Sequence, residues 1–273
     1  MLLTLRHFLL AVQFFTRIPV TGPLAEWVGY SPAMLRASVA HFPAIGWLVG
    51  GVAAAVFTTT LALLPATAHT PLVAAVLSTV ATVMLTGGFH EDGLADVADG
   101  LGGSHLRERA LEIMKDSRVG AFGAMALTLM LLTKVAVLAT VADASSQAAA
   151  GLLVLAHVVS RTWPMLTIRL LPHVGDAAGS KSKPLADRIS GPALVTGFSW
   201  LFMALALSLS IFGAILIAPI AVGLCLSALA WAWMTLLLRR RLGGFTGDGL
   251  GATQQVCEVA FLLGTLVSPS GLT

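Results

Sequence analysis

The stretch VGAFGAMALTLMLLTKVAVLATVA, residues 119–142, gives the clearest indication of the fold. Its only charged side chain is Lys134. A helix of about 20 predominantly apolar residues crosses the ~30 Å hydrocarbon core of a bilayer. Because the backbone must satisfy its own hydrogen bonds inside that core, a stretch of this length is predicted to be a transmembrane helix rather than a strand.

Six further apolar stretches of similar length accompany it. The predicted spans are 41–64, 70–89, 119–142, 148–171, 192–210, 212–238 and 252–268. Hydrophobic residues make up 57% of the 273 positions and charged residues only 11%, whereas a soluble domain carries about 25% charged residues. The sequence therefore predicts an all-α polytopic membrane bundle forming a single domain over 1–273. It excludes a soluble α/β enzyme, a disordered protein and a nucleic-acid-binding domain.

Lysine and arginine are confined mainly to four connecting segments: 1–40, 90–118, 172–191 and 239–251. The positive-inside rule places all four in the cytoplasm, so the amino terminus is predicted to be cytoplasmic. The chain is then a multi-pass protein of the cell inner or plasma membrane, in contact with the lipid bilayer. Within the first segment, one helical stripe carries Arg6, Gln13 and Arg17 and another carries Phe8, Leu9, Val12 and Phe15, which predicts an interfacial amphipathic helix. The net charge of +3 reflects topology, and no nucleic-acid partner is implied.

Acidic residues are concentrated at one membrane boundary, between Glu91 and Asp116. Asp92, Asp96 and Asp99 are spaced i, i+4 and i+7, which puts them on one helical face. Like charges so placed repel each other, and oxygen ligands suit Mg²⁺, which also binds substrate phosphates. The pattern indicates a metal site, although a solvated acidic face with ordinary ion pairs remains an alternative. His90, immediately before them, is a candidate base.

A second acid, Asp248, lies in GGFTGDGLGATQQ, residues 243–255. The triplet Asp-Gly-Leu occurs at both Asp92 and Asp248, and both copies are predicted on the cytoplasmic face. Asp248 is therefore a candidate metal ligand and a candidate contact for the bound substrate.

Three cationic side chains are candidates for binding phosphate. Lys115 and Arg118 belong to a predicted cytoplasmic helix of mixed charge over 107–118, which could equally be an ordinary solvated helix. Arg161 lies within a predicted span, where ionisable groups are functional candidates. Lys134 also lies within a predicted span, but we interpret it as part of a structural ion pair.

Carboxylates beside phosphate-binding cations favour metal-assisted phosphoryl transfer. One aspartate, Asp92 or Asp96, or else His90, would accept the proton of an attacking hydroxyl. No covalent nucleophile is evident in the sequence, so direct in-line transfer is the simplest interpretation.

The chain resembles the cobalamin synthase (adenosylcobinamide-GDP ribazoletransferase) family. The resemblance is most specific in HEDGLADVADGLGG (90–103) and RERALEIMKDSRVGAFG (107–123), and QFFTRIPV (13–20) and TGDGLGA (246–252) also fit. It implies attack by a hydroxyl of α-ribazole, or of its 5′-phosphate, on the diphosphate of adenosylcobinamide-GDP. The products are adenosylcobalamin, or its 5′-phosphate, and GMP, with Mg²⁺ as cofactor.

The same resemblance implies roles for individual residues. Asp92, Asp96 and Asp99 match the family's acidic motif and would bind the metal with Asp248. Lys115 and Arg118 match its Lys-Asp-Ser-Arg stretch and would hold phosphates. It leaves open a homo-oligomer or an association with other enzymes of corrinoid synthesis.

Two other protein functions fit the sequence less well. A CDP-alcohol lipid phosphotransferase carries an Asp-Gly-x-x-Ala-Arg pattern, which DGLADV at 92–97 does not match. A divalent-ion transporter would place its acids within the spans, whereas nearly all of them lie at the predicted cytoplasmic edge.

Overall fold

The computed structural model describes residues 2–175 and 188–267, and the described chain is helical apart from short connections and one isolated β-bridge. This confirms the all-α prediction. The helices are α1 (Leu2–Phe15), α2 (Gly22–Val28), α3 (Pro32–Ser38), α4 (Phe42–Leu63), α5 (Thr70–Thr86), α6 (Phe89–Gly103), α7 (Arg107–Ile113), α8 (Ala121–Ala144), α9 (Ser146–Leu170), α10 (Gly191–Phe212), α11 (Ile217–Leu242) and α12 (Gly247–Val267). The middle of the basic segment 172–191, and Ser268 at the end of the last predicted span, lie outside the described residues.

Each predicted span corresponds to one helix: α4, α5, or one of α8 to α12. Five helical stretches are long and apolar enough to cross a membrane, and the bent pair α5 and α6 provides a sixth when taken together. The five stretches are 32–63, 121–144, 146–170, 191–242 and 247–267. A helical membrane bundle is confirmed, whereas the number of seven crossings stays a prediction.

The stretch 191–242 has 52 residues, about twice the length that one crossing needs. Its first helix, α10, runs antiparallel to α9, because Phe212 lies against Gly151 while Gly197 lies against Met165. Gly213, with φ of +68°, follows at the end of α10.

The second helix of this stretch, α11, runs parallel to α9. Trp163 in α9 donates a hydrogen bond to Ser227 (2.8 Å), and one turn further along Thr167 lies 3.1 Å from Thr235. Since α10 and α11 pack on α9 in opposite directions, they form a helical hairpin. The predicted division of this stretch at Phe212 is therefore correct.

The predicted span 70–89 is wrong at its end. The helix stops at Thr86 because Gly87 and Gly88 both adopt left-handed backbone conformations, with φ of +69° and +71°, which favour glycine. The bend between α5 and α6 is 89°. A separate helix, α6, therefore carries Glu91, Asp92, Asp96 and Asp99.

The amino-terminal prediction of an amphipathic helix is matched by α1. Its buried residues Leu10, Val12 and Phe15 pack into the same core cluster as Phe42 of α4, while Gln13 is exposed. Its predicted position in the membrane surface stays a prediction.

Candidate active site

The site is formed where α6 packs against the start of α12, and glycines set the distance between them. A β-carbon on Gly93 would lie 2.9 Å from the Cα of Asp248, and one on Gly251 would lie 3.3 Å from the Cα of His90. A side chain at Gly93 would force the helices apart, and one at Gly251 would require the neighbouring atoms to shift by a few tenths of an ångström. The two Asp-Gly-Leu copies therefore meet backbone to backbone, which places Asp248 beside the acidic face of α6.

Asp92, Asp96 and Asp248 are brought together, as the sequence predicts. The Asp92 side chain is exposed, and those of Asp96 and Asp248 are partly buried. Burial, followed by the charges of Asp92, Asp248 and Asp99, raises the pKa of Asp96 to about 7. A carboxylate cluster of this kind is stabilised by a cation.

This donor set fits Mg²⁺ in its chemistry. Within residues 2–175 and 188–267, no three His, Cys, Asp or Glu side chains are grouped closely enough to hold a metal ion by themselves. The four predicted metal ligands are therefore not grouped into one metal site by the protein alone. Mg²⁺ binding through one or two of these carboxylates, with water and substrate phosphate oxygens completing the shell, stays a prediction.

Asp99, the fourth predicted metal ligand, differs from the other three. Its two carboxylate oxygens accept hydrogen bonds from the backbone N–H groups of Gly120 (2.7 Å) and Gly123 (2.8 Å) at the start of α8. A carboxylate at this place satisfies amides that have no partner within the helix and complements the helix dipole. Asp99 thus joins α6 to α8, and its predicted role as a metal ligand would compete with these bonds.

His90, a predicted catalytic residue, is buried and faces away from the exposed Asp92. Its ring stacks on Phe15, with centroids 6.2 Å apart. It lines a cavity of about 30 Å³ that is mainly apolar and whose other polar side chains are Arg161 and Gln254. The structure therefore places His90 and Arg161 together, on the opposite side of α6 from the exposed aspartate.

Arg161 also belongs to a buried ionic network around Glu258 of α12. Its Nη1 lies 3.0 Å from His157 Nδ1 and 3.8 Å from Glu258 Oε2. Lys134 Nζ of α8 lies 2.6 Å from Glu258 Oε1, which confirms the structural ion pair favoured for Lys134. Gln254 also donates to Glu258, at 2.6 Å. Arg161, predicted to bind phosphate, is thus held by protein groups within the bundle.

The network continues to the acidic helix through two glutamines. Gln254 donates to Ser160 (2.9 Å), and Gln255 donates to Glu91 Oε1 (3.0 Å) and to Gln254 Oε1 (3.0 Å). Sequence reasoning missed His157, Gln254 and Gln255. The i, i+4 spacings of His157 with Arg161 and of Gln254 with Glu258 were the signal that could have revealed them.

Lys115 and Arg118 lie on the exposed turn between α7 and α8, because α7 ends at Ile113 rather than near residue 118. Arg118 Nε donates to Asp116 Oδ1 at 2.9 Å. These hydrogen bonds lower the pKa of Asp116 to about 2. The structure therefore pairs Arg118 with its neighbour Asp116, and a role for either cation toward the substrate stays a prediction.

Several further contacts fix the start of α12 beside α6. Arg241 donates to the carbonyls of Leu101 (3.0 Å) and Ser104 (2.8 Å) at the end of α6. Phe245 pairs with the segment after α9: its N–H donates to the carbonyl of Pro172 at 2.9 Å. Arg241, which the sequence marked only as a topology signal, thus holds the acidic helix in place.

Comparison with known proteins gives a consistent result. The family model described as cobalamin-5-phosphate synthase matches residues 7–266. A protein of Albidiferax ferrireducens named adenosylcobinamide-GDP ribazoletransferase is 62% identical over 96% of this chain and 98% of its own length. Proteins of the same name from Polaromonas naphthalenivorans (62%, over 98% and 100%) and Leptothrix cholodnii (47%, over 96% and 95%) are similarly matched. No solved structure matches the chain.

Proposed function

The chain belongs to the cobalamin-5-phosphate synthase family, and we propose that it is a Mg²⁺-dependent transferase acting on adenosylcobinamide-GDP. The second substrate is α-ribazole or its 5′-phosphate, and the products are adenosylcobalamin or its 5′-phosphate and GMP. The observation that carries this proposal is the meeting of the two Asp-Gly-Leu copies, at Asp92 and Asp248, across the α6–α12 contact.

The reaction consists of three changes at the reacting atoms. A ribose hydroxyl oxygen of α-ribazole forms a bond to the phosphorus attached to the corrinoid, the bond from that phosphorus to the GMP oxygen breaks, and the attacking hydroxyl loses its proton. This hydroxyl is not the 5′-hydroxyl, because the 5′-oxygen of the alternative substrate carries a phosphate that the product retains. Bound Mg²⁺ would neutralise the charge on the diphosphate. Asp92, Asp96 and Asp248 are the residues that would hold it.

Proton acceptance is assigned to Asp92 or Asp96. Both lie on the acidic face of α6, whereas His90 lies in the cavity behind it. Asp99 positions α6 against α8 through its two backbone hydrogen bonds. We place this face in the cytoplasm because Arg107, Arg109 and Arg239 to Arg241 lie at the same end of the bundle.

The test is GMP release by the purified protein in detergent, with both substrates, in the presence and absence of Mg²⁺. Asp92→Asn should reduce the rate at least ~100-fold, which corresponds to about 2.7 kcal/mol of transition-state stabilisation. Glu108→Gln is the matched control, since this exposed acid lies on α7 and should retain the wild-type rate.

Two outcomes would overturn the proposal. No GMP release under any divalent ion would refute the reaction, and the same preparation should then be tested with a CDP-alcohol acceptor pair. Mg²⁺-dependent release that is unaffected by Asp92→Asn would keep the reaction but remove Asp92 from the site.

A further inference from the structure

A second cavity lies apart from the acidic site, where the ends of α1, α3, α9 and α10 meet. Its volume is about 610 Å³. The basic side chains lining it are His7, Arg36, His41, Arg169 and Arg188, and no acidic residue is among the described residues that line it. We call this cavity the basic groove. None of the residues assigned to the reaction above lines it.

The basic groove has the features of a phosphate site. Arginine side chains bind phosphate oxygens through two parallel hydrogen bonds, and three arginines converge here from different segments. The amino terminus of α10, a helix of 22 residues, adds Ser190, Pro192 and Ala193 to the lining. The dipole at a helix amino terminus favours anions, while the N–H of Ala193 is itself capped by the Ser190 hydroxyl at 3.3 Å.

Exposed apolar side chains occur on the same helices, each one residue away in sequence from a residue that lines the groove. Leu3 of α1 is 56% exposed, Leu170 of α9 is 61% exposed and Val195 of α10 is 71% exposed. Leu170 directly follows Arg169, and Val195 directly precedes Thr196, which lines the groove. On a bundle that crosses a membrane, such side chains contact acyl chains. A ligand with a phosphate group and apolar chains matches both surfaces.

We propose that the basic groove binds the headgroup of an anionic phospholipid. Basic pockets between membrane helices on the positively charged face bind such headgroups in general. The arginines would hold the phosphate while the acyl chains lie against α1 and α10. A soluble phosphate compound has the same anionic group as the lipid headgroup but no acyl chains. Binding experiments can therefore distinguish a phospholipid ligand from a soluble one.

The experiment titrates purified protein in a non-ionic detergent with dioctanoyl phosphatidylglycerol and follows binding calorimetrically. Dioctanoyl phosphatidylcholine and inorganic phosphate are titrated in parallel. The double variant Arg36→Gln/Arg169→Gln should bind phosphatidylglycerol at least tenfold more weakly than the wild type. The matched control Arg239→Gln/Arg240→Gln removes two exposed arginines outside the groove and should stay within twofold of the wild type.

Size-exclusion profiles and unfolding temperatures establish that the variants are folded. If the double variant does not fold, Arg169→Gln alone, whose side chain is exposed, should still weaken binding at least threefold. Equal affinity for phosphatidylglycerol and phosphatidylcholine would overturn the proposal, as would unchanged binding in the groove variants. Displacement of phosphatidylglycerol by submillimolar inorganic phosphate would assign the groove to a soluble phosphate compound instead.

Discussion

Carboxylates occur in this protein in two contrasting environments, both on the same helix α12. Glu258, in the bundle interior, is surrounded by protein donors and cations, with Lys134 at 2.6 Å and Gln254 at 2.6 Å. Asp248, at the start of α12, faces Asp92 and Asp96 instead. Among the described residues no ion pair involves these three aspartates.

The difference suggests separate roles for the two clusters. A buried charge without a partner is strongly unfavourable, so Glu258 requires Lys134 and its neighbours for the fold itself. The aspartates at the α6–α12 contact repel one another, and a cation that comes with the substrate would relieve that repulsion. The protein itself supplies the cations around Glu258, whereas we propose that a ligand supplies the cation for the aspartates.

The largest effect on stability is expected from removing a cation from the cluster around Glu258. Lys134→Met leaves Glu258 without its closest cation in the bundle interior, which should lower the free energy of unfolding by about 3–5 kcal/mol. The measurement is the thermal unfolding midpoint in detergent. Lys134→Met/Glu258→Gln should recover much of the loss, because it removes both charges. A double variant as unstable as the single one would show that the pair is not the reason for the effect.

The next effect concerns the helix contact that forms the acidic site. Gly93→Ala adds a methyl group about where the Asp248 backbone lies, 2.8 Å from its carbonyl oxygen, so α6 and α12 must separate. Overpacking of this kind costs about 1–3 kcal/mol, and GMP release should fall with it. The matched control is Gly51→Ala in α4, where a β-carbon meets nothing within 4 Å. Equal behaviour of the two variants would refute the close contact.

A smaller effect is expected at the junction of α6 with α8. Asp99→Asn replaces one acceptor oxygen by an NH₂ group, which cannot accept a hydrogen bond from Gly120 or Gly123. Losing a helix-capping interaction costs about 0.5–2 kcal/mol. Chemical unfolding should reveal the change, whereas Asp143→Asn, an exposed acid at the other end of α8, should leave stability unchanged. If Asp99→Asn is as stable as that control, Asp99 is not a capping residue.

The smallest effect is expected at the exposed turn after α7. Arg118→Gln removes the partner of Asp116, whose pKa should return from about 2 toward its ordinary value. The shift is measurable by NMR titration of the Asp116 carboxyl carbon. Stability at neutral pH should not change measurably, because exposed ion pairs contribute little. An unchanged titration of Asp116 would contradict the pairing.

Much of the fold was predictable from hydrophobicity alone, because long apolar stretches have few structural alternatives in a membrane. The i, i+4, i+7 spacing likewise predicted the shared face of Asp92 and Asp96. What local patterns could not show was the partner of each polar group. Asp99 has the same spacing as its neighbours, yet it binds the amides of α8, 21 and 24 residues away. The cavity around His90 depends in the same way on packing between distant helices.

We propose that Asp248 and the acids of α6 form one cation-dependent site. The most direct measurement is the rate of GMP release as a function of Mg²⁺ concentration for wild type, Asp248→Asn and Asp143→Asn. Asp248→Asn should require at least about tenfold more Mg²⁺ for half-maximal rate, because it removes one of the few carboxylates available to the ion. Asp143→Asn should follow the wild type. A Mg²⁺ dependence identical in wild type and Asp248→Asn would contradict the claim.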